Sequence, residues 1–375
     1  MIESSWTKTL CVCASVVVCA VVVTKAGPLQ PPAGPVAPTF KTLDQVEARI
    51  PIDDINTPAG GGSRHVIAQS GSYYLTRPID AMGGDRAIEV AAPFVTIDLN
   101  GYTIASGDGG ITTPFGIEML STIQSGVLTV RNGVIAGFGA SAVLSNNPGV
   151  AIVLEDVSFV SNGFIGVNIS GPATVTSCRF LDNGFDGLDS EGSTIVRDTI
   201  AAGNGGTGLR VGSGTIVGSV AEENTRFGID ISGFTKSAVV RHSVANLNGS
   251  VGIAGPSTLV IENALARNGG GIASAGGSGL STDSAGVIAR NLLVFNGHDT
   301  DGTGIAAFGE HFRVDSNTIY RSPNGVRVGN QSDHVITRNS VSDSVAPFTF
   351  LTNGNAVGPV GPDFGSDRAW QNIER

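Results

Sequence analysis

Aliphatic residues alternate with small or polar ones in Gly166-Val167-Asn168-Ile169, Gly187-Leu188-Asp189-Ser190, Gly208-Leu209-Arg210-Val211 and Gly228-Ile229-Asp230-Ile231. The pattern returns at Gly252-Ile253-Ala254, Gly271-Ile272-Ala273, Gly304-Ile305-Ala306 and Gly325-Val326-Arg327-Val328. Successive glycines are 21, 21, 20, 24, 19, 33 and 21 residues apart. A hydrophobic period of two predicts strands, with Val167 and Ile169 on one side and Asn168 on the other. A spacing near 21 residues predicts that those strands stack as a solenoid.

Each turn of about this length has room for more than one strand. A preceding strand is predicted at Val150–Leu154, Ala173–Ser177, Thr194–Val196, Thr215–Val217, Ala238–Val240 and Thr258–Ile261. A second short strand and a bend follow. The bend carries Asn162-Gly163, Asn183-Gly184, Asn204-Gly205, Asn224, Asn248-Gly249, Asn268-Gly269 and Asn296-Gly297. Asn and Gly tolerate the positive φ that sharp bends need. A second series, Asn263, Asn291, Asn317 and Asn339, marks another corner. Stacked asparagines are expected to hydrogen-bond from coil to coil and so satisfy buried amides. The array is read as a parallel β-helix of roughly ten coils over residues 64–345. Its early turns are longer, with an insertion at 107–120.

The ends break the pattern. Residues 1–26 read as an export signal, with Lys8, an apolar run from Leu10 to Val23 and a Thr24-Lys25-Ala26 exit. That run of 14 residues is short for a spanning helix, so no membrane span is expected after cleavage. Residues 27–63 are rich in proline and read as a spacer or as a cap over the open end of the coil. Residues 346–375, with Pro347, Pro359 and Pro362, read as a C-terminal strap. The protein is expected to work outside the cytoplasm, secreted or at the cell surface.

Composition narrows the function classes. The chain has 375 residues, of which 53 are glycine, and a formal net charge of −10. The acidic balance argues against a nucleic-acid partner and against passive binding of strongly anionic polymers. Beyond Cys11, Cys13 and Cys19 of the leader only Cys178 remains. It has no partner for an internal disulfide and is expected to be a buried thiol.

The repeat register resembles that of the right-handed parallel β-helix superfamily, home of pectate lyases, polygalacturonases and other sugar-acting proteins. The chain is also similar to a group of uncharacterised secreted bacterial β-helix repeat proteins, through Gly-Ser-Tyr-Tyr-Leu at 71–75 and Asp-Leu-Asn-Gly at 98–101. The resemblance implies an all-β solenoid and a polysaccharide partner. Of the polygalacturonase motifs, Asn-Thr-Asp and Gly-His-Gly are absent from the sequence, and its one Asp-Asp pair, Asp53-Asp54, precedes the repeat.

Candidate chemistry lies at the outward middle position of the repeat, which reads Asn168, Asp189, Arg210, Asp230, Ala254, Ala273, Ala306 and Arg327. Asp189 and Asp230 should stand about 9.6 Å apart at the backbone with Arg210 between them. Carboxylates about 6.5–9.5 Å apart suit inverting glycoside hydrolysis, and the resemblance implies an arginine base in a lyase. The same column is also what an ion-pair ladder between coils looks like. Asp186, Glu191, Glu222, Glu223 and Arg226 flank it. Phe164 and Phe185, at equivalent places on adjacent coils, offer a flat surface for a sugar, assisted by Asn168 and Arg226; they equally suit a plain cover for the coil. The 33-residue step contains an insert near 279–303, where Asp299, Asp301 and, just beyond, Glu310 match several positions of a calcium loop, without the flanking helices. The sequence therefore supports two functions: a non-catalytic polysaccharide binder, or a lyase or glycosidase built on Asp189, Arg210 and Asp230.

Overall fold

The computed structural model describes residues 49–107, 113–231, 238–255, 258–274, 286–297, 302–308, 311–329 and 334–350, with short strands at 356–357, 360–361 and 372–374. The chain divides into units 1–48 and 49–375, and the first lies outside the described residues. The second is an all-β solenoid of about eleven turns, with no helix among the described residues.

One coil shows the plan. Val167–Ile169 lies on the first face, Ala173–Thr176 on the second and Arg179–Leu181 on the third, before the chain returns to the first face at Leu188. Each strand pairs in parallel with its counterpart one coil on: Val167 with Leu188, Val175 with Val196 and Phe180 with Ala201. Alternation fills the interior with aliphatic columns such as Val167, Leu188, Leu209 and Ile229, all fully buried. Phe159 and Phe180 stack inside the coil at 5.0 Å between centroids. Burying one such side chain contributes about 1.5–3 kcal/mol, so the stacked interior, rather than any cross-link, carries the stability.

Both asparagine series form the expected ladders. Asn162 Nδ2 donates to Asn183 Oδ1 at 2.8 Å, and the chain of bonds continues through Asn204, Asn224, Asn248 and Asn268 to Asn296. The second ladder runs from Asn263 through Asn291 and Asn317 to Asn339. Threonine and serine begin it: the Cys178, Thr199 and Ser219 amides donate to Thr199, Ser219 and Ser243 hydroxyls.

The positive φ does not fall on the asparagines. It falls one residue earlier, on Ser161, Asp182, Gly203, Glu223, Leu247, Arg267 and Phe295. The asparagine must turn its amide inward to the ladder, so the left-handed residue is the one before it, which points its side chain outward. The glycine that follows serves a different need. A Cβ on Gly184 would sit 2.1 Å from Gly163 O of the neighbouring coil, so this corner stacks only without a side chain.

The parallel array is longer than the 64–345 span. Ile50–Ile52, inside the expected spacer, pairs with Tyr73–Leu75; Pro51 is tolerated because the strand lies at an end of the sheet. Ala346–Phe350, expected as the start of a strap, continues the first face by pairing with Asn324–Val328. Phe348 and Phe350 pack against the core there. That apolar surface is satisfied by one more rung, whereas a crossing strap would leave the rung's edge unpaired. Cys178 is buried as expected, and burial pushes its thiol up to about 11.

Candidate functional site

The register puts the first-face column together as the spacing predicts. Asn168 pairs with Asp189, Asp189 with Arg210, and Arg210 with Asp230. The strands turn these side chains outward because Val167, Leu188, Leu209 and Ile229 claim the interior positions beside them.

Arg210 is the centre of the cluster. Its Nη1 lies 2.7 Å from Asp186 Oδ2 and 3.7 Å from Asp189 Oδ2, while Nε donates to Asp230 Oδ2 at 3.3 Å. Nη2 reaches the Thr207 hydroxyl at 3.3 Å. Asp186, read in the sequence only as a flanking residue, is the deepest member, with a side-chain exposure of 0%. Its Oδ1 accepts the Thr207 amide at 2.6 Å, and its Oδ2 meets Arg210 as a charge contact without hydrogen-bond alignment.

Three carboxylates share one guanidinium. Burial raises Asp186, Asp189 and Asp230 above the ordinary carboxylate range, and the attraction of Arg210 offsets this only in part. Asp189 and Asp230 also repel each other and Asp186. This differs from a neutral ladder of alternating charges, in which each pair would lower its carboxylate. The cluster therefore holds surplus negative charge in a half-dry place.

That arrangement decides what the column can do chemically. Arg210 fills the gap between Asp189 and Asp230 that a water and a sugar would need for inverting hydrolysis. Held by Asp186, Asp189 and Asp230, the guanidinium is committed as a counter-ion and is not presented as a base. Calcium does not fit the cluster either, because the arginine occupies its centre. No group of three or more His, Cys, Asp or Glu able to hold a metal occurs among the described residues. Asp299, Asp301 and Glu310, the expected calcium positions, lie outside the described residues.

Beside the column, on the edge between the third and first faces, Phe164 and Phe185 stack at 5.1 Å with an interplanar angle of 10°. Phe164 is 49% exposed and Phe185 half-buried, so one flank of the stack is open to solvent, unlike the buried Phe159–Phe180 pair. Arg226 is exposed, with its guanidinium 5.9 Å from the Phe185 centroid. Between Phe185 and Arg226 the chain has Gly206, where a Cβ would meet Asp186 Oδ1 at 2.3 Å. The result is an aromatic surface ending in a notch and then a cation. Asn168 is half-buried, and its side chain makes no hydrogen bond within the described residues.

The column also continues further toward the N-terminus than the repeat suggested. Glu89 pairs with Glu118, Glu118 with Leu144 and Leu144 with Asn168. Arg86 contacts Glu89 and Glu118, each at 2.5 Å. The local signal was present in Ile88-Glu89-Val90 and Ile117-Glu118-Met119, but their wider spacing hid it from a period near 21. In the opposite direction Asp230 pairs with Ala254, and Ala306 pairs with Arg327.

Residues 116–265 match the family model described as the right handed beta helix region. The parallel coils before and after that stretch continue the same right-handed β-helix architecture. None of the curated proteins matches it. Among solved structures it is similar to the Azotobacter vinelandii mannuronan C-5 epimerase AlgE4 A-module, at 12% identity and a TM-score of 0.43, over 76% of this chain and 90% of that one. It is similar to the periplasmic alginate epimerase AlgG at 10% identity and a TM-score of 0.45, over 89% and 82%. The Dettilon tailspike protein gp208 is similar at 13% identity and a TM-score of 0.38, over 83% of this chain and 61% of that one. At these identities and scores the likeness carries no statement about activity. No helix among the described residues is long and apolar enough to cross a membrane.

Proposed function

We propose that this right-handed parallel β-helix is an extracytoplasmic protein that binds a linear, uncharged polysaccharide along the Phe164–Phe185 edge and does not turn it over. The observation that carries the reading is the partly exposed, stacked ring pair, parallel to within 10° and 5.1 Å apart, beside Asn168 and Asp189. A sugar ring has an apolar face of C–H groups and a rim of hydroxyls. The exposed flank of the ring stack takes the face; the Asn168 amide and the Asp189 carboxylate take the rim. A net charge of −10 and the surplus carboxylates around Arg210 disfavour a polyanion.

Arg210 supports the reading without turnover. A base or acid pair needs a free group and a gap for the reacting bond, and here the guanidinium closes the gap while being held by three aspartates. One observation favours the competing reading, a glycosidase or lyase: Asp189 and Asp230 are raised by burial, as a general acid would be.

A panel of neutral and acidic polysaccharides separates the two. Mannuronan and alginate, the polymers named for two of the similar structures, belong in it as acidic members. The binding reading expects retention of a neutral polymer, insensitive to ionic strength, with no new reducing ends or unsaturated products. Products that disappear in Asp189→Asn and Asp230→Asn would establish the enzyme reading in its place.

A further inference from the structure

A second aromatic cluster lies on the same edge of the coil, further along the axis. Phe185 comes two residues after Asn183, and Phe295 comes one residue before Asn296. The ladder from Asn183 through Asn204, Asn224, Asn248 and Asn268 to Asn296 places them five rungs apart, or about 24 Å. Both therefore sit at the corner that joins the third face to the first.

Phe295 breaks two rules at once. It adopts a left-handed backbone, with φ of 55°, and its side chain is 41% exposed. Equivalent positions in other coils carry Ser161, Asp182, Gly203, Glu223, Leu247 and Arg267, so among the described coils Phe295 is the one aromatic residue at this left-handed corner. A phenylalanine there bears backbone strain without the compensation of burial. The Tyr320 ring stands edge-on to Phe295, with centroids 6.1 Å apart and planes at 85°. The Arg321 guanidinium lies 5.1 Å from the Phe295 centroid and 4.9 Å from that of Tyr320. Arg321 is held in turn by Asp343, at 3.3 Å. Leu247, 46% exposed on the same corner, stands between the two aromatic clusters.

We infer that Phe295 and Tyr320 form a distal subsite for the same linear polysaccharide, so that one chain is held along about 24 Å of the edge. The inference rests on the proposed binding at Phe164 and Phe185. Size favours a sugar over a protein partner. The cluster is about three rungs tall, or roughly 14 Å, so a patch of that height and similar width covers about 200 Å², against the roughly 800 Å² per partner that a stable protein interface needs. It matches a sugar or two, with Phe295 against the C–H face and Arg321 and Asp343 at the hydroxyl rim.

Calorimetric titration of the full chain with an oligosaccharide length series, cut from the polymer retained in the panel, tests this. Wild type, Phe295→Ser, Tyr320→Ala and the double variant Phe164→Ala/Phe185→Ala are compared, with folding checked by circular dichroism. Short oligomers should bind wild type, Phe295→Ser and Tyr320→Ala alike. Oligomers long enough to span both clusters should bind wild type more tightly than short ones and lose about tenfold in each distal variant. The double variant should weaken every length. Long-oligomer affinity unchanged in both Phe295→Ser and Tyr320→Ala, but lowered in the double variant, overturns the distal subsite and leaves the binding reading intact. Affinity unchanged in all variants overturns both. A wild-type dimer in sedimentation that Phe295→Ser abolishes would also overturn the subsite, by making the cluster a contact between copies.

Discussion

Replacing Arg210 by methionine tests the electrostatic account of the cluster. The substitution keeps much of the side-chain volume and removes the charge that faces Asp186 at 2.7 Å, Asp230 at 3.3 Å and Asp189 at 3.7 Å. At an effective dielectric of about 20, each contact is worth about 4–6 kcal/mol before desolvation is counted. Burial and the repulsion among the carboxylates outweigh that attraction, which is why all three remain raised. Removing one partner of a buried pair costs about 3–5 kcal/mol. Because Asp189 and Asp230 keep 23% and 19% of their side chains exposed and can take up protons, we expect about 3 kcal/mol at neutral pH. The pH dependence has a definite sign. A carboxyl raised in the fold binds protons better folded than unfolded, so its destabilising effect is fully present above its folded pKa and is relieved as pH falls through it. Without Arg210 the folded pKa values rise further, so the variant should regain stability on acidification over a window reaching to higher pH than in the wild type. Denaturant unfolding at pH 7 and pH 5 measures the stability. Hydrogen exchange of the Thr207 amide, which donates to Asp186 at 2.6 Å, reports the local effect. Asp186→Asn combined with Arg210→Met should recover part of the loss. A loss below about 1 kcal/mol, as expected of an exposed ion pair, with no change in pH dependence, would refute the reasoning.

Asn204→Ala removes an acceptor for Asn183 and donors to Phe180 O and Asn224 Oδ1. With buried groups left unpaired it should cost about 3 kcal/mol or more and raise hydrogen exchange in the coils on either side. Asp315 is a contrasting acid: burial would raise it, but bonds from Arg338, Thr337 and Arg313 lower it to about 2. Its contribution is present above the unfolded value of 3.8 and lost as pH falls toward about 2. It amounts to at most about 2 kcal/mol, reduced by salt because both arginines are exposed, and acid unfolding of Asp315→Asn should lack this component. Cys178, buried with its thiol at about 11, should resist a thiol reagent at pH 8 until the chain unfolds; a variant with Cys11, Cys13 and Cys19 replaced by serine isolates the signal.

The coil was legible because its physics is local and repeated. Val167, Leu188, Leu209 and Ile229 recur at one spacing, and each recurrence is one rung, so the spacing alone yields the register Asn168–Asp189–Arg210–Asp230. The ladders were equally legible, since identical amides recur at the same bend once per coil, at steps of 20 to 28 residues. Two kinds of feature escaped. Asp186 occupies a position held by Ile165 on the preceding coil, and nothing local shows that a carboxylate there will turn to a guanidinium on another strand. Phe295, Tyr320 and Arg321 meet across coils separated by an irregular spacing, so no period brings them into register on paper. The ends were misread for a related reason: proline at 51 and 347 forbids a central strand but not a terminal rung, and composition does not show which a segment will be.

The central claim is that the Phe164–Phe185 edge binds a polysaccharide without cleaving it. It is tested most directly by titrating wild type and Phe164→Ala/Phe185→Ala with the polymer retained in the panel, and assaying the same samples for released sugar. The expected result is binding by wild type, at least about tenfold weaker binding by the variant, and no product from either. Equal affinity for both proteins, or product accumulating with wild type, would contradict it.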